Sequence, residues 1–367
     1  MRLVLLGGGH AHLHALRAFA AAPVPHAQIT LVSPLPALIY TGMVPGLIAG
    51  RYRNGECTIP LAPLADRAGA EFILAAATAI DAGARSVKFV RPDGSTAAVG
   101  YDILSLDVGG VTNAASIPGA GLHAFLVRPL DRFVGALERR LAEFGRAPSD
   151  VVVVGGGAGG FELALALRLR LGGAARIHLV AGGPTLLAAH PTGVRRRAQR
   201  ALRRRDVVVY EDRCIEIGAR DIVLGAGSRV ACDLAFVATG SAAPHWLRGS
   251  GLALDPDGYI ATGATLQSLS HETVFAAGDV ATRVDAPRPR NGVHAVRAGP
   301  PLAHNLRCAL ERRPLAAYRP QTRSLSLLAC GDRSAIASWG SWSCEGRAVW
   351  WLKDRIDCRF VAGYRTD

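Results

Sequence analysis

Val4-Leu5-Leu6 runs directly into Gly7-Gly8-Gly9-His10-Ala11-His12 and then into an Ala/Leu-rich stretch over residues 13–22. An apolar run, a glycine cluster and a helix-forming segment in that order read as strand, tight turn and helix. The unit recurs: four valine-rich residues, 151–154, lead into Gly155-Gly156-Gly157-Ala158-Gly159-Gly160 and then Phe161-Glu162-Leu163-Ala164-Leu165-Ala166-Leu167, with Gly172-Gly173 placed to stop the helix. The next strand patterns, 29–32 and 177–180, end just before Ser33 and Ala181, each 26 positions after the first glycine of its own loop. Equal spacing makes the two units copies of one design.

In such a unit the first glycine permits the turn and the second lets the backbone approach a pyrophosphate. The helix N-terminus then offers free N–H groups and a positive dipole end. Both units depart from the GxGxxG pattern or its sequel. His12 stands where the third glycine of the first loop belongs, so either the helix packs less closely or His12 faces the ligand. Neither second strand ends in the acid that would bind a ribose 2′-OH. At the second loop that lack, with Arg176 and Arg195-Arg196-Arg197 nearby in sequence, leaves room for a 2′-phosphate; the solvated face of a helix is the plainer reading of the arginine cluster.

The chain has 367 residues, 50% of them hydrophobic and only 19% charged, with 42 glycines. That excludes disordered, collagenous and coiled-coil classes and leaves room for two to three domains. No apolar run approaches the roughly 20 residues of a membrane span, and the four apolar residues before Gly7 are too few for a signal peptide, so a cytoplasmic protein is expected. Seven scattered cysteines show no disulfide or zinc spacing. The His10/His12/His14 row does not share one helix face, so no metal is expected. A net charge of +13 is almost wholly arginine and by itself selects no partner; no nucleic acid is expected.

Residues 86–90, a Pro92-Asp93-Gly94 turn and 96–99 read as a hairpin. It leads to Tyr101-Asp102-Ile103-Leu104-Ser105-Leu106-Asp107-Val108-Gly109-Gly110. Asp233-Leu234-Ala235-Phe236-Val237-Ala238-Thr239-Gly240 and Thr273-Val274-Phe275-Ala276-Ala277-Gly278-Asp279 follow later. Two glycine loops, two strands ending in glycine and a VFAAGD strand in this order resemble the pyridine nucleotide-disulfide oxidoreductase superfamily over residues 1–310. The chain looks most like its type II NADH dehydrogenase and sulfide:quinone oxidoreductase branch. It is closer still to the flavoprotein module found fused to selenide, water dikinase, on GGGHAH, LIYTGMVPGLIAGRY (38–52), SLDVGG, GVHAVRAGPPLAHNL (292–306) and WWLKDRIDCRF (350–360).

The resemblance implies an α/β fold of two Rossmann-like three-layer domains, the second inserted in the first, plus a small C-terminal α+β segment. The FAD domain would be 1–114 and 241–309, the NAD(P) domain 115–240, and the last segment 310–367. It implies FAD on Gly7, Gly8, Gly9, His10, Ala11 and His12, with Ser33, Pro34 and Gly109 beside it, Gly278-Asp279 at the ribityl chain, and Tyr40, Thr41, Val293 and His294 near the isoalloxazine. NAD(P)H would lie on Gly155, Gly157, Ala158, Gly160 and Gly240. Glu162 is the catalytic candidate, a carboxylate for the nicotinamide amide; its plainer reading is an acid at a helix N-terminus. The implied activity is NAD(P)H oxidation through flavin to a quinone or another small acceptor. The alternatives are sulfide or selenium-species oxidation, which needs two of Cys308, Cys330, Cys344 and Cys358 together, and a non-catalytic redox sensor.

The tail carries Trp339, Trp342, Trp350 and Trp351 among Lys353, Arg355, Arg359 and Phe360. Aromatics between basic groups suit the inner face of a membrane, with all three cations meeting lipid phosphates. Packing on the flavin domain, or on a second subunit of a homodimer, is the ordinary alternative.

Overall fold

The computed structural model describes residues 1–143 and 149–365. Its first half is built on a parallel five-stranded sheet in the order Val274–Ala276, Ile103–Leu106, Arg2–Leu6, Gln28–Ser33, Ala70–Leu74. Leu3, Leu5 and Leu31 face helix α1 (His10–Ala21), while Val4, Leu6, Val32 and Leu104 pack on the opposite side with Val87 and Phe89. Those last two belong to an antiparallel sheet of Ala76–Asp81, Ser86–Val90 and Thr96–Gly100. With both faces covered, the strands are continuous apolar runs rather than alternating ones.

The second half repeats the plan. A parallel sheet runs Ala124–Leu126, Leu234–Val237, Asp150–Val154, Arg176–Val180, Val207–Tyr210, with helix α2 (Ala158–Leu171) on one face. Its other face packs on an antiparallel sheet of Cys214–Ile217, Asp221–Leu224 and Arg229–Ala231. Both expected three-layer units are thus present. The chain leaves the first sheet through Val111–Thr112 and comes back through Ser241–Ala242, and these two short strands pair antiparallel.

Helix α3 (Gly292–Leu310) then packs along α1. An antiparallel sheet of Ser326–Ala329, Ala335–Trp339 and Trp342–Gly346 follows, and helix α4 (Arg347–Ala362) runs back over the first half. Among the described residues no helix is long and apolar enough to cross a membrane.

His12 settles one of the two readings left open by its place in the first loop. Its ring is fully buried and braces the fold: Nδ1 lies 2.6 Å from the Gly7 carbonyl and Nε2 2.8 Å from Ser105 Oγ. A carbonyl only accepts, so Nδ1–H donates and Nε2 accepts the serine proton; the imidazole is neutral. The expectation that His12 faces a ligand is corrected, because it points into the core and ties the strand end of the glycine loop to the neighbouring strand. Burial pushes the pKa of His12, and of His10 beside it, down to about 4. The unfolded chain protonates these rings near 6.5. Their contribution to stability is therefore complete above that pH and lost as pH falls toward 4. His12→Gly, which restores the usual glycine, is expected to lower unfolding free energy at pH 7.5 by roughly 3 kcal/mol and to weaken the loss of stability between pH 6.5 and 4. Urea unfolding of the nucleotide-free protein at both pH values measures this; an unchanged or raised midpoint would refute the brace.

Candidate functional site

One cleft of about 1540 Å³ lies where the carboxyl ends of the two parallel sheets face each other. It is larger than the roughly 300–1,000 Å³ typical of a single small-molecule site. Gly7, Gly8, Gly9 and His10 line it from one sheet, and Gly155, Gly157 and Ala158 from the other. Ser33, Pro34, Tyr40, Thr41, Gly109, Val293, Gly240, Asp279 and Glu162 also line it. The two loops make the same close approach. A Cβ on Gly7 (φ +96°) would lie 2.4 Å from the Asp107 carbonyl, and one on Gly155 (φ +138°) 2.4 Å from the Ala238 carbonyl. Only glycine lets each turn close and leave its backbone bare for a phosphate.

Five of the expected contacts lie elsewhere. Ala11 and His12 are inside the first half. Gly160 is a packing position, since a Cβ there would sit 1.8 Å from the Gly155 carbonyl. His294 and Gly278 line a small adjoining cavity, which shares Asp279 and Arg290 with the cleft. Arg176 is also corrected: it begins its strand at the end remote from the glycine loop and grips Asp150 with Nε at 2.8 Å and Nη2 at 2.7 Å. The cluster 195–197 lies on helix Thr192–Arg203 and does not line the cleft, so neither group supports a 2′-phosphate site.

At the first loop Asp279 is held by Arg128, Nη1 to Oδ2 at 2.5 Å. Arg128 is set there by its own backbone N–H, which donates to Thr112 Oγ1 at 2.8 Å. His10 sits beside this pair, edge-on to Tyr40 with centroids 5.6 Å apart, and its Nε2 is buried without a partner. Such an orphaned polar atom at a cofactor cleft is a place for a ligand contact.

The C-terminal segment closes the cleft. Lys353, Ile356, Asp357 and Phe360 on α4 line it. Phe360 stacks on Tyr40 at 4.5 Å. Lys353 Nζ donates to the Gly42 carbonyl and to Asp357 Oδ2, both at 2.6 Å, and is buried. The expectation that Lys353 reaches out to lipid phosphates is therefore wrong, whereas Arg355 and Arg359 of the same helix are exposed. Glu162 is also enclosed; its Oε1 accepts the Ala329 N–H at 2.7 Å. Burial pushes its pKa up to about 7, against the pull of Lys353. Asp357 is raised too, again mainly by burial. Among the described residues no cysteine lines the cleft, and the seven thiols are all free.

Arg128, Asp107, Lys353 and Asp357 complete the cleft and were not singled out for it from sequence. The i, i+4 spacing of Lys353 and Asp357 was the available signal for the last two.

The model of a family described as pyridine nucleotide-disulphide oxidoreductase matches residues 1–299. The chain is 28% identical over 350 residues to the demethylphylloquinone reductase NdbB of Synechocystis sp., covering 92% of this chain and 86% of that one. It is 26% identical over 366 residues to the oxidoreductase ptaL of Pestalotiopsis fici, covering 95% and 94%. Among solved structures the fold is similar to NDH2 from Plasmodium falciparum in complex with NADH (TM-score 0.81, 12% identity, 98% of this chain and 97% of that chain). It is also similar to the sulfide:quinone oxidoreductase of Aquifex aeolicus (TM-score 0.79, 18% identity, 99% and 91%). Two glycine loops opening on one cleft, and a family match over residues 1–299, make this chain a member of the pyridine nucleotide-disulphide oxidoreductase family, a flavin-dependent oxidoreductase that works with FAD and NAD(P)H.

Proposed function

We propose that this chain passes electrons from NADH or NADPH, through FAD, to a quinone. Residues 1–114 and 241–309 would form the FAD domain and 115–240 the NAD(P) domain, with 310–367 as the acceptor side. What carries the reading is the third wall of the cleft. The two loops hold nucleotides, and the C-terminal segment adds a buried Lys353–Asp357 pair opposite Glu162. The flavin, when bound, supplies the two-electron chemistry. Reducing a quinone with NAD(P)H also consumes one proton, and the protein must provide it away from bulk water. Glu162 keeps one carboxylate oxygen on the Ala329 N–H and holds a proton on the other below about pH 7. Lys353, tied to the Gly42 carbonyl and Asp357, puts a fixed positive charge nearby. That no cysteine among the described residues lines the cleft disfavours sulfide oxidation, which needs a thiol to hold sulfur.

The purified protein should be yellow, bleach anaerobically with NADH or NADPH, and recover its colour with a soluble quinone. Protein that takes up no FAD on reconstitution would sink the reading. Because Glu162 must be protonated to give up a proton, kcat for quinone reduction should fall as pH rises through about 7. Glu162→Gln should cut kcat by about 10²-fold and remove that pH dependence while FAD stays bound. An unchanged profile would exclude the role.

The same reading places the mouth of the cleft at a membrane surface. Trp339 and Ile356 line the cleft and are also exposed, next to exposed Trp342, Trp351 and Leu352, with Arg355 and Arg359 outward on α4. Such a rim suits weak, salt-sensitive binding to anionic lipid. Co-sedimentation with anionic vesicles should fall with added salt and with the triple change Trp339→Ser, Trp342→Ser, Trp351→Ser. Equal sedimentation of both forms would leave the rim as ordinary surface.

A further inference from the structure

Asp107 brings a negative charge to the loop that should receive one. It follows the strand Ile103–Leu106 and is buried. Its Oδ2 accepts the N–H of Ala11 at 2.7 Å and of His12 at 3.0 Å. These N–H groups belong to the first turn of α1, which lacks helical partners for them and is the feature that attracts a pyrophosphate. A Cβ on Gly9 would lie 2.4 Å from Asp107 Oδ1, and one on Gly278 2.6 Å, so the carboxyl is wedged between the glycine loop and the turn that carries Asp279. The second loop provides an internal comparison. Ala238 holds the position there that Asp107 holds here, its carbonyl meeting Gly155 as the Asp107 carbonyl meets Gly7. One loop carries a buried acid beneath it and the other does not.

Among the described residues, the charged groups around Asp107 leave it without a cation of its own. Asp279 faces it across Gly278, and Arg128 is committed to Asp279. His10 and His12 of α1 are held neutral by burial near neutral pH. Among the described residues no lysine or arginine is ion-paired with Asp107. A pyrophosphate on this loop would add like charge beside it, which favours the protonated acid.

Resting on the FAD reading above, we infer that Asp107 makes occupation of the first loop proton-coupled: it keeps its proton while a dinucleotide pyrophosphate lies there, and gives it up more readily, capping α1 as a carboxylate, when the loop is empty. Burial already pushes its pKa up to about 7, against the hydrogen bonds from His12 and Ala11. The empty loop therefore titrates near neutrality and the occupied loop above it. Binding takes up a proton over that interval, so affinity falls as pH rises past 7.

The test is FAD binding to flavin-stripped protein by fluorescence quenching from pH 6 to 9. It is paired with calorimetry at pH 8 in two buffers of different ionisation enthalpy. Wild-type affinity should fall by about tenfold per pH unit above 7, with close to one proton taken up per FAD. Asp107→Asn keeps an oxygen for the two N–H groups and should bind with little pH dependence, more tightly than wild type at pH 8.5. Glu162→Gln removes the other acid of the cleft that titrates near 7 and should keep the dependence. A flat wild-type profile, no proton uptake, or a dependence that survives Asp107→Asn and disappears in Glu162→Gln would each overturn the inference. If Asp107→Asn does not fold, the two-buffer measurement on wild type decides alone. Absence of FAD binding at every pH removes this inference together with the FAD reading, whereas pH-independent FAD binding removes this inference and leaves that reading intact.

Discussion

The antiparallel pairing of Val111–Thr112 with Ser241–Ala242 is the constraint on which the rest depends. A parallel sheet presents its loops at the carboxyl ends of its strands, so a nucleotide site belongs at that edge. Two such sheets make one site only if those edges face each other. Passing the chain out and back through two paired strands fixes that orientation, and it also sets Thr112, through which Arg128 is aimed at Asp279. With the crossing held in this way, the two glycine loops share one cleft.

What the sequence made legible was local. The glycine loops, their helices and the strands that follow are set by short-range rules: apolar runs where both sheet faces are covered, and glycine where a carbonyl approaches within 2.4 Å of a notional Cβ. The equal offsets of Ser33 and Ala181 reported two copies of one unit. The residues that complete the site were hidden for the opposite reason. Arg128 meets Asp279 across 151 positions of sequence, and Lys353 meets the Gly42 carbonyl across 311. No periodicity encodes such meetings.

The C-terminal segment shows how composition misleads at this distance. A lysine among tryptophans and arginines reads as part of a basic surface, yet in α4 only the outer stripe is surface. Val349, Lys353, Asp357 and Val361 repeat every four residues and face inward. The lysine is buried because it is paired and because the Gly42 carbonyl accepts a second N–H of its ammonium group. His12 makes the complementary point: a polar residue at a glycine position became a structural strut once its two nitrogens each found a partner.

The C-terminal sheet is fastened to the second half by ion pairs of Arg204 with Glu345 and Arg205 with Asp332, and by the Glu162 bond to Ala329. Helix α4, which continues directly from that sheet, is fastened to the first half through Lys353 and through the Tyr52 hydroxyl on Asp354. The segment is thus a tie-bar across both nucleotide-binding halves. Hinged opening of the two halves would have to break these bonds together with the paired crossing strands. Access to the cleft is thereby tied to this segment, because the two halves part only as far as its bonds to both of them allow.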